Sequence, residues 1–207
     1  MTQKAVAAVA AVLALVSCNL ATKGEKIDSY ADPRRALLVL DVQRDFTGPQ
    51  ARMPVDSAQA AKMIQAVNGA AVAFRDRGDV VVYIKNVFPR NDIGNLFRNS
   101  AAIEGSPGTA FDDRLWLVSD IVFPKDQPDA FSNPELSNYL VANHVAEITV
   151  AGVFADQCVY WTSRGGLNRG YSVLYAADAV AASSDKIVES AIASAKAAGA
   201  AITRLSE

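Results

Sequence analysis

Cysteine and histidine are scarce: the 207 residues hold two cysteines, Cys18 and Cys158, and one histidine, His144. Neither a zinc cluster nor a disulfide framework can be built from so few groups. Runs of lysine or arginine are also missing, and 20 basic residues nearly balance 22 acidic ones. Without a basic footprint the chain has no means of gripping nucleic acid, and the expected partner is a small molecule. There is no internal repeat, and no low-complexity stretch beyond Ala-rich helical patterns. The longest apolar run, Ala5 to Val16, falls short of the roughly 20 residues that a bilayer-spanning helix needs. What is present is a chain 51% hydrophobic, of a length that suits one domain with a sizeable core.

That short apolar run follows Lys4 and ends in Leu15-Val16-Ser17-Cys18, the order of n-region, h-region and cleavage site. The tetrapeptide resembles the lipobox of bacterial lipoproteins, which implies removal of residues 1–17, lipidation of Cys18 and attachment to a membrane by acyl chains. Asn19 stands where lipoproteins kept at the inner membrane usually carry Asp, so the resemblance implies the outer membrane, facing the periplasm. Residues 18–33 are polar and patternless and are expected to be a tether, with the domain occupying 34–207.

From Arg35 onward β-branched runs alternate with helical patterns, the signature of βαβ units and a parallel sheet. Strands are expected at 36–42, 79–85, 119–123, 146–153, 171–176 and 201–205, nearly continuous in apolar character because helices cover both faces. Helices are expected at 56–77, opened by Asp56 and closed by Gly78, and at 133–143, where Asn133-Pro134 supplies a cap and a first-turn proline. Two more fit 157–168 and 184–198. The fold class is α/β, doubly wound and Rossmann-like. Segment 87–118, rich in Gly and Pro, is too long for a plain connection and reads as a lid or binding element.

In such sheets ligands sit beyond the carboxyl ends of the strands. Asp41 ends the first predicted strand, Lys125 follows the third, and Cys158 follows the fourth at the start of a helix. A helix N-terminus lowers a thiol pKa, so Cys158 is expected to be an activated nucleophile, with Asp41 as its base and Lys125 as orienter. Gln43, Asp45 and Phe46 lie on the same turn as Asp41; Gln43 and Phe46 are candidate pocket residues, and Asp45 is either that or structural. Phe131, Tyr160 and Trp161 are candidates for an apolar wall, with core or subunit packing as the plainer reading. Arg90 and Arg98 offer guanidinium groups to a substrate carboxylate, solvent being the plainer partner. His144 reads as a surface residue and Asp178 as a cap after the fifth strand.

The stretches LLVLDVQRDF, FPKDQPDAF and AGVFADQCVYWTSRGGLNRGYSVLYAADAVAA together resemble the isochorismatase-like cysteine hydrolases over residues 35–183. The resemblance implies a three-layer sandwich on a six-stranded parallel sheet of order 3-2-1-4-5-6, and an Asp–Lys–Cys triad falling on Asp41, Lys125 and Cys158. It also implies a cis peptide at Val153-Phe154, with backbone N–H groups near Phe154 or Ala155 and at Cys158 turned toward an oxyanion. Members that cleave a vinyl ether lack the cysteine, whereas those acting on amides, ureas or carbamoyl groups keep it. Nicotinamidases in the family carry an Asp and His metal site after the second strand; here that stretch reads KNVFPRNDIGN, without histidine, so neither metal nor other cofactor is expected. Homo-oligomers, dimer or tetramer, are the family habit. Two departures stand out: Ala155 where Thr is frequent, and Gly165-Gly166 where an Asp-Ala pair is frequent, a change that weakens a helix by about 1 kcal/mol per glycine. The expected activity is metal-independent hydrolysis of a C–N bond through a thioester. Its competitors are a vinyl-ether hydrolase and a non-catalytic ligand-binding lipoprotein on the same fold.

Overall fold

The computed structural model describes residues 20–206. The signal-peptide reading of 1–17 and the lipidation reading of Cys18 fall outside them. Among the described residues, six strands form one parallel sheet: β1 Arg34–Leu40, β2 Val80–Asn86, β3 Val122–Lys125, β4 Val145–Val153, β5 Ser172–Ala181 and β6 Ala201–Thr203. Their order, β3-β2-β1-β4-β5-β6, is the one the resemblance implied, and every pairing is parallel.

Alternation along the central strands builds two cores. Ala36, Leu38 and Leu40 with Val82, Ile84, Ile148 and Val150 pack on one face, while Leu37, Val39, Val81 and Tyr83 pack on the other. Both sets are buried, which is why these strands read as unbroken apolar runs. One face is covered by helix α1, Ser57–Asp76, through Met63, Ile64, Val67 and Phe74. Helices α2 Pro134–Ala142, α3 Tyr160–Asn168 and α4 Asp185–Ala197 cover the opposite face. The caps act as the sequence reads: the Asp56 side chain accepts from Gln59 N and that of Asn133 from Glu135 N. Among the described residues no helix is long and apolar enough to cross a membrane.

Several boundaries move. The first strand closes at Leu40, so Asp41 lies just past it, in a left-handed conformation at φ +57°. The third strand is Val122–Lys125, three residues later than expected, and Lys125 is its last residue. Pro124 sits inside it, which the sheet tolerates because β3 is an edge strand. The fifth strand runs on to Ala181 through a register shift against β4, so Asp178 lies inside it and does not cap a turn. It accepts instead from Leu205 N and Ser206 N of the C-terminal segment. Gly152 takes φ +113°, and a Cβ there would lie 2.1 Å from the Leu40 carbonyl oxygen. Only glycine lets β4 approach β1 so closely at the edge where both strands end.

The tether reading of 18–33 is corrected in its described part. Ala21 is only 5% exposed, and Thr22 is bound to the domain through both backbone and hydroxyl. Hydrogen bonds dock this segment together with a few apolar contacts, Ile27 packing on the core and Tyr30 stacking on His144.

Candidate active site

The strand order reverses between β1 and β4, and near this switch point the carboxyl ends of the strands bring Asp41, Asn86, Lys125 and Cys158 together. Lys125 Nζ lies 2.8 Å from Asp41 Oδ2, 2.7 Å from Asn86 Oδ1 and 3.2 Å from Cys158 Sγ. Asn86 Oδ1 and Cys158 Sγ accept hydrogen bonds from the ammonium, and Asp41 is paired with it by charge. Asp41 and Lys125 side chains are fully shielded from solvent. Neither Asp41 oxygen meets a well-aligned hydrogen-bond donor, so its carboxylate is held by charge and is poorly saturated.

Burial raises the proton affinity of Asp41, with Lys125 opposing it. For Lys125 burial acts downward, but the Asp41 carboxylate beside it outweighs burial and the group stays an ammonium. Burial pushes the Cys158 thiol up to about 12, against the lowering influence of Lys125 and with Asp41 adding to the rise. The expected depressed thiol pKa is therefore wrong for the free protein. The cysteine sits in a single π-helical turn, Ala155–Val159, ahead of α3, where burial is the largest influence on its thiol. The resting site holds a neutral thiol beside a carboxylate with raised proton affinity.

Gln43, expected to line the pocket, is fully buried behind it. Its Nε2 donates to Asn86 O (2.9 Å) and Thr109 O (3.0 Å), and its Oε1 accepts from Asn86 N (2.8 Å). It fixes Asn86, the member of the cluster that the sequence reading passed over. The available signal was a polar residue closing the second strand at the same sheet edge as Asp41 and Lys125. Asp45 resolves as structural: it accepts from Ala102 N (2.8 Å) and so pins segment 87–118.

A cavity of about 410 Å³ opens beside Cys158, with Phe46, Met53, Phe88 and Phe154 as apolar lining and Asn86 and Arg98 as polar lining. Phe46 lines it, as does Arg98, for which solvent was the plainer expectation, and Phe46 meets Phe154 edge to face at 5.5 Å. Phe131, Tyr160 and Trp161 are not brought to this cavity. Phe131 is buried against Tyr171, and Tyr160 and Trp161 pair with each other on α3 beside Arg164. Arg90 is exposed and away from it, and His144 is exposed, stacked on Tyr30. The peptide Val153-Phe154 is cis, as the resemblance implied. Ala155, next to it, is buried and its carbonyl accepts from the Tyr175 hydroxyl (2.9 Å).

The glycine pair has a physical reason. A Cβ at Gly165 would lie 2.3 Å from Asp129 Oδ2, and one at Gly166 would lie 2.6 Å from Ile148 Cδ1. The lost helix propensity makes room for a buried carboxylate and for close packing of α3 on β4.

A model of the isochorismatase domain matches residues 35–207. The chain belongs to the isochorismatase family. Among curated relatives it is 28% identical over 159 residues to an uncharacterised isochorismatase family protein, YddQ, of Bacillus subtilis (strain 168), covering 74% of this chain and 83% of that one. Among solved structures, N-carbamoylsarcosine amidase of Thermoplasma acidophilum superposes with a TM-score of 0.73 at 25% identity, over 84% of this chain and 98% of the amidase. A pyrazinamidase of Pyrococcus horikoshii, solved in complex with zinc, gives a TM-score of 0.70 at 28% identity, over 83% and 99% of the two chains. The family is one of hydrolases that includes amidases. The zinc of the pyrazinamidase finds no counterpart set of ligands here: among the described residues no group of three or more His, Cys, Asp or Glu side chains could hold a metal. The end of β2 gives the cavity an amide, Asn86, and the stretch after it a ring, Phe88.

Proposed function

We propose that this protein is a metal-independent cysteine hydrolase that cleaves the C–N bond of a small amide, ureido or carbamoyl compound. The observation carrying this reading is the thiol of Cys158, placed 3.2 Å from Lys125 Nζ beside the Asp41 carboxylate and opening onto a cavity lined by aromatic rings and polar side chains. In the first half-reaction Asp41 takes the thiol proton as Sγ bonds to the substrate carbonyl carbon, with backbone N–H groups of the Phe154–Cys158 turn receiving the oxyanion. The C–N bond then breaks and the nitrogen departs with the proton from Asp41, leaving a thioester. In the second, Asp41 deprotonates water, which attacks the thioester; the acid leaves and the thiol is regenerated. Lys125 keeps Asp41 ionised until the thiol proton arrives, and the thiol needs no depressed pKa because proton transfer and attack are concerted.

The vinyl-ether alternative has less support, since it leaves the buried thiol without a task. The reading is tested by incubating the purified protein with a panel of primary amides, ureas and carbamoyl compounds and measuring ammonia. Release by the unsubstituted protein and none by Cys158→Ala is expected. Equal release by both would replace the thiol with water activated by Asp41. By the same Leu-Val-Ser-Cys pattern we propose that Cys18 is acylated and anchors the protein in the cell envelope. The mass of the N-terminal fragment from an exporting bacterial host decides this, an unmodified Met1 being the contrary result.

A further inference from the structure

Three large apolar side chains on one short turn stand almost free of the protein: Ile93 is 78% exposed, Leu96 80% and Phe97 88%. Ile93 and Leu96, at i and i+3, lie on one side of the 3-10 turn Ile93–Leu96, and Phe97, its closing residue, stands beside Leu96 about a third of a turn round. The turn is firmly built. Asp92 accepts from Gly94 N (2.8 Å) and pairs with Arg98, Asn95 Nδ2 donates to Pro89 O (2.8 Å), and the Arg98 guanidinium lies 3.8 Å over the Phe88 ring. Asp92 and Arg98, which bracket the three, both line the Cys158 cavity. A rigid turn at the cavity rim thus holds out a contiguous apolar surface, the kind that marks an interaction site.

Another part of the lining indicates what it meets. Gln127 and Pro128 line the cavity there, and the next residue, Asp129, accepts from Thr22 N (2.7 Å) and Thr22 Oγ1 (2.8 Å). From Ile27, whose N donates to Arg169 O (2.9 Å) past the C-terminal end of α3, the N-terminal segment runs back over the Arg169 side chain to Thr22, beside Asp129 and Gly165. Thr22 is held at the C-terminal end of α3, its carbonyl accepting from Asn168 Nδ2 (2.9 Å), while its bond to Asp129 sets it next to the cavity-lining Pro128. Four residue steps separate Thr22 from Cys18, a reach of at most about 14 Å. Acyl chains on Cys18 would hold the bilayer within that reach of Thr22, which is bonded to Asp129 next to the cavity-lining Pro128.

We propose that the turn bearing Ile93, Leu96 and Phe97 inserts into the phospholipid bilayer to which Cys18 is anchored, so that Cys158 works at the membrane surface on amphiphilic substrates. This rests on the proposed acylation of Cys18. It does not depend on turnover, so its test is separate from that of the hydrolase reading. The full chain, isolated from an exporting bacterial host, is placed in phosphatidylethanolamine–phosphatidylglycerol vesicles as Phe97→Trp and, for a control, as Leu117→Trp, which lies outside this turn and is itself exposed. Tryptophan emission is read as the difference from the unsubstituted protein, whose Trp116 and Trp161 supply the background. The expected result is a blue-shifted Phe97→Trp signal, quenched at least twofold by brominated acyl chains, with the Leu117→Trp signal unaffected. Equal quenching of both by aqueous iodide, or a protein that does not associate with vesicles, would overturn the proposal. A blue shift without bromine quenching that disappears on dilution would also overturn it and assign the turn to contact with a second copy.

Discussion

Two buried aspartates sit within a few residues of the same cavity and are treated in opposite ways. Asp129 is saturated: it accepts from Thr22 N, Thr22 Oγ1 and Phe131 N, while Arg169 completes the cluster by donating to Thr22 Oγ1 and Gly165 O. Asp41 has one ion pair, no well-aligned donor on either oxygen, and a neutral thiol for a neighbour. Burial raises the proton affinity of both. Saturation makes Asp129 a structural fastener, whereas the open coordination of Asp41 leaves it free to take up and return a proton. A buried polar cluster is thus read by what it leaves unsatisfied, and by whether that vacancy faces a cavity.

The comparison is broken most severely at Asp41. Asp41→Asn removes the base and leaves the Lys125 ammonium buried without its counter-ion, so turnover should fall by about 10²–10⁴-fold and the thermal midpoint should drop with it, as a broken buried pair costs roughly 3–5 kcal/mol. Ammonia release and circular dichroism melting measure the two effects separately. Asn86→Leu should cost less, about 10–100-fold by analogy with outer-shell partners that orient reacting groups. It takes one acceptor from Lys125 and an amide 3.8 Å from Sγ while leaving the Asp41 pair in place. Rescue of part of the rate by Asn86→Gln would mark a positioning role.

Protonation sharpens the contrast. Asp41 must be ionised to accept the thiol proton, and its affinity is raised, so activity is lost as pH falls through a value above the ordinary 3.8. The acid limb of kcat/KM should lie there. With its thiol pushed up to about 12, Cys158 in the free protein should react with iodoacetamide more slowly than free cysteine at neutral pH. Fast alkylation would show that Lys125 outweighs burial. Smallest is Thr22→Val, which deletes two hydrogen bonds of the Asp129 cluster, Thr22 Oγ1 to Asp129 and Arg169 Nη1 to Thr22 Oγ1. It should lower stability by about 1–2 kcal/mol in denaturant titration and change kcat/KM only a few-fold.

These differences also explain what was legible in the chain. Doubly wound strands announce themselves because residues such as Leu37 and Leu38 face two separate cores, and Asp56 and Asn133 mark helix starts chemically. The third strand was displaced because its Pro124 argues against a strand unless its edge position is known. β5 was cut short because Ala-Ala-Asp-Ala has little intrinsic β-preference, and only pairing with β4 carries it on. Strand ends exposed Asp41, Lys125 and Cys158 to the reading, and the same rule applied to β2 reaches Asn86. Residue type could not tell Phe46, which faces the cavity, from Phe131, which faces Tyr171. Nor could it show that a polar N-terminal stretch is docked, since Thr22 finds Asp129 across 107 residues of sequence.

The central claim is that Cys158 carries the substrate's acyl group during turnover. With a substrate from the ammonia-release panel, the reaction is quenched in acid within the first turnovers and the peptide containing Cys158 is weighed. The account predicts an added mass equal to the acyl portion of that substrate, on Cys158 alone, vanishing when the reaction runs to completion and absent from Cys158→Ala. Continued hydrolysis by Cys158→Ala, with no adduct on the unsubstituted protein at any time, would contradict it.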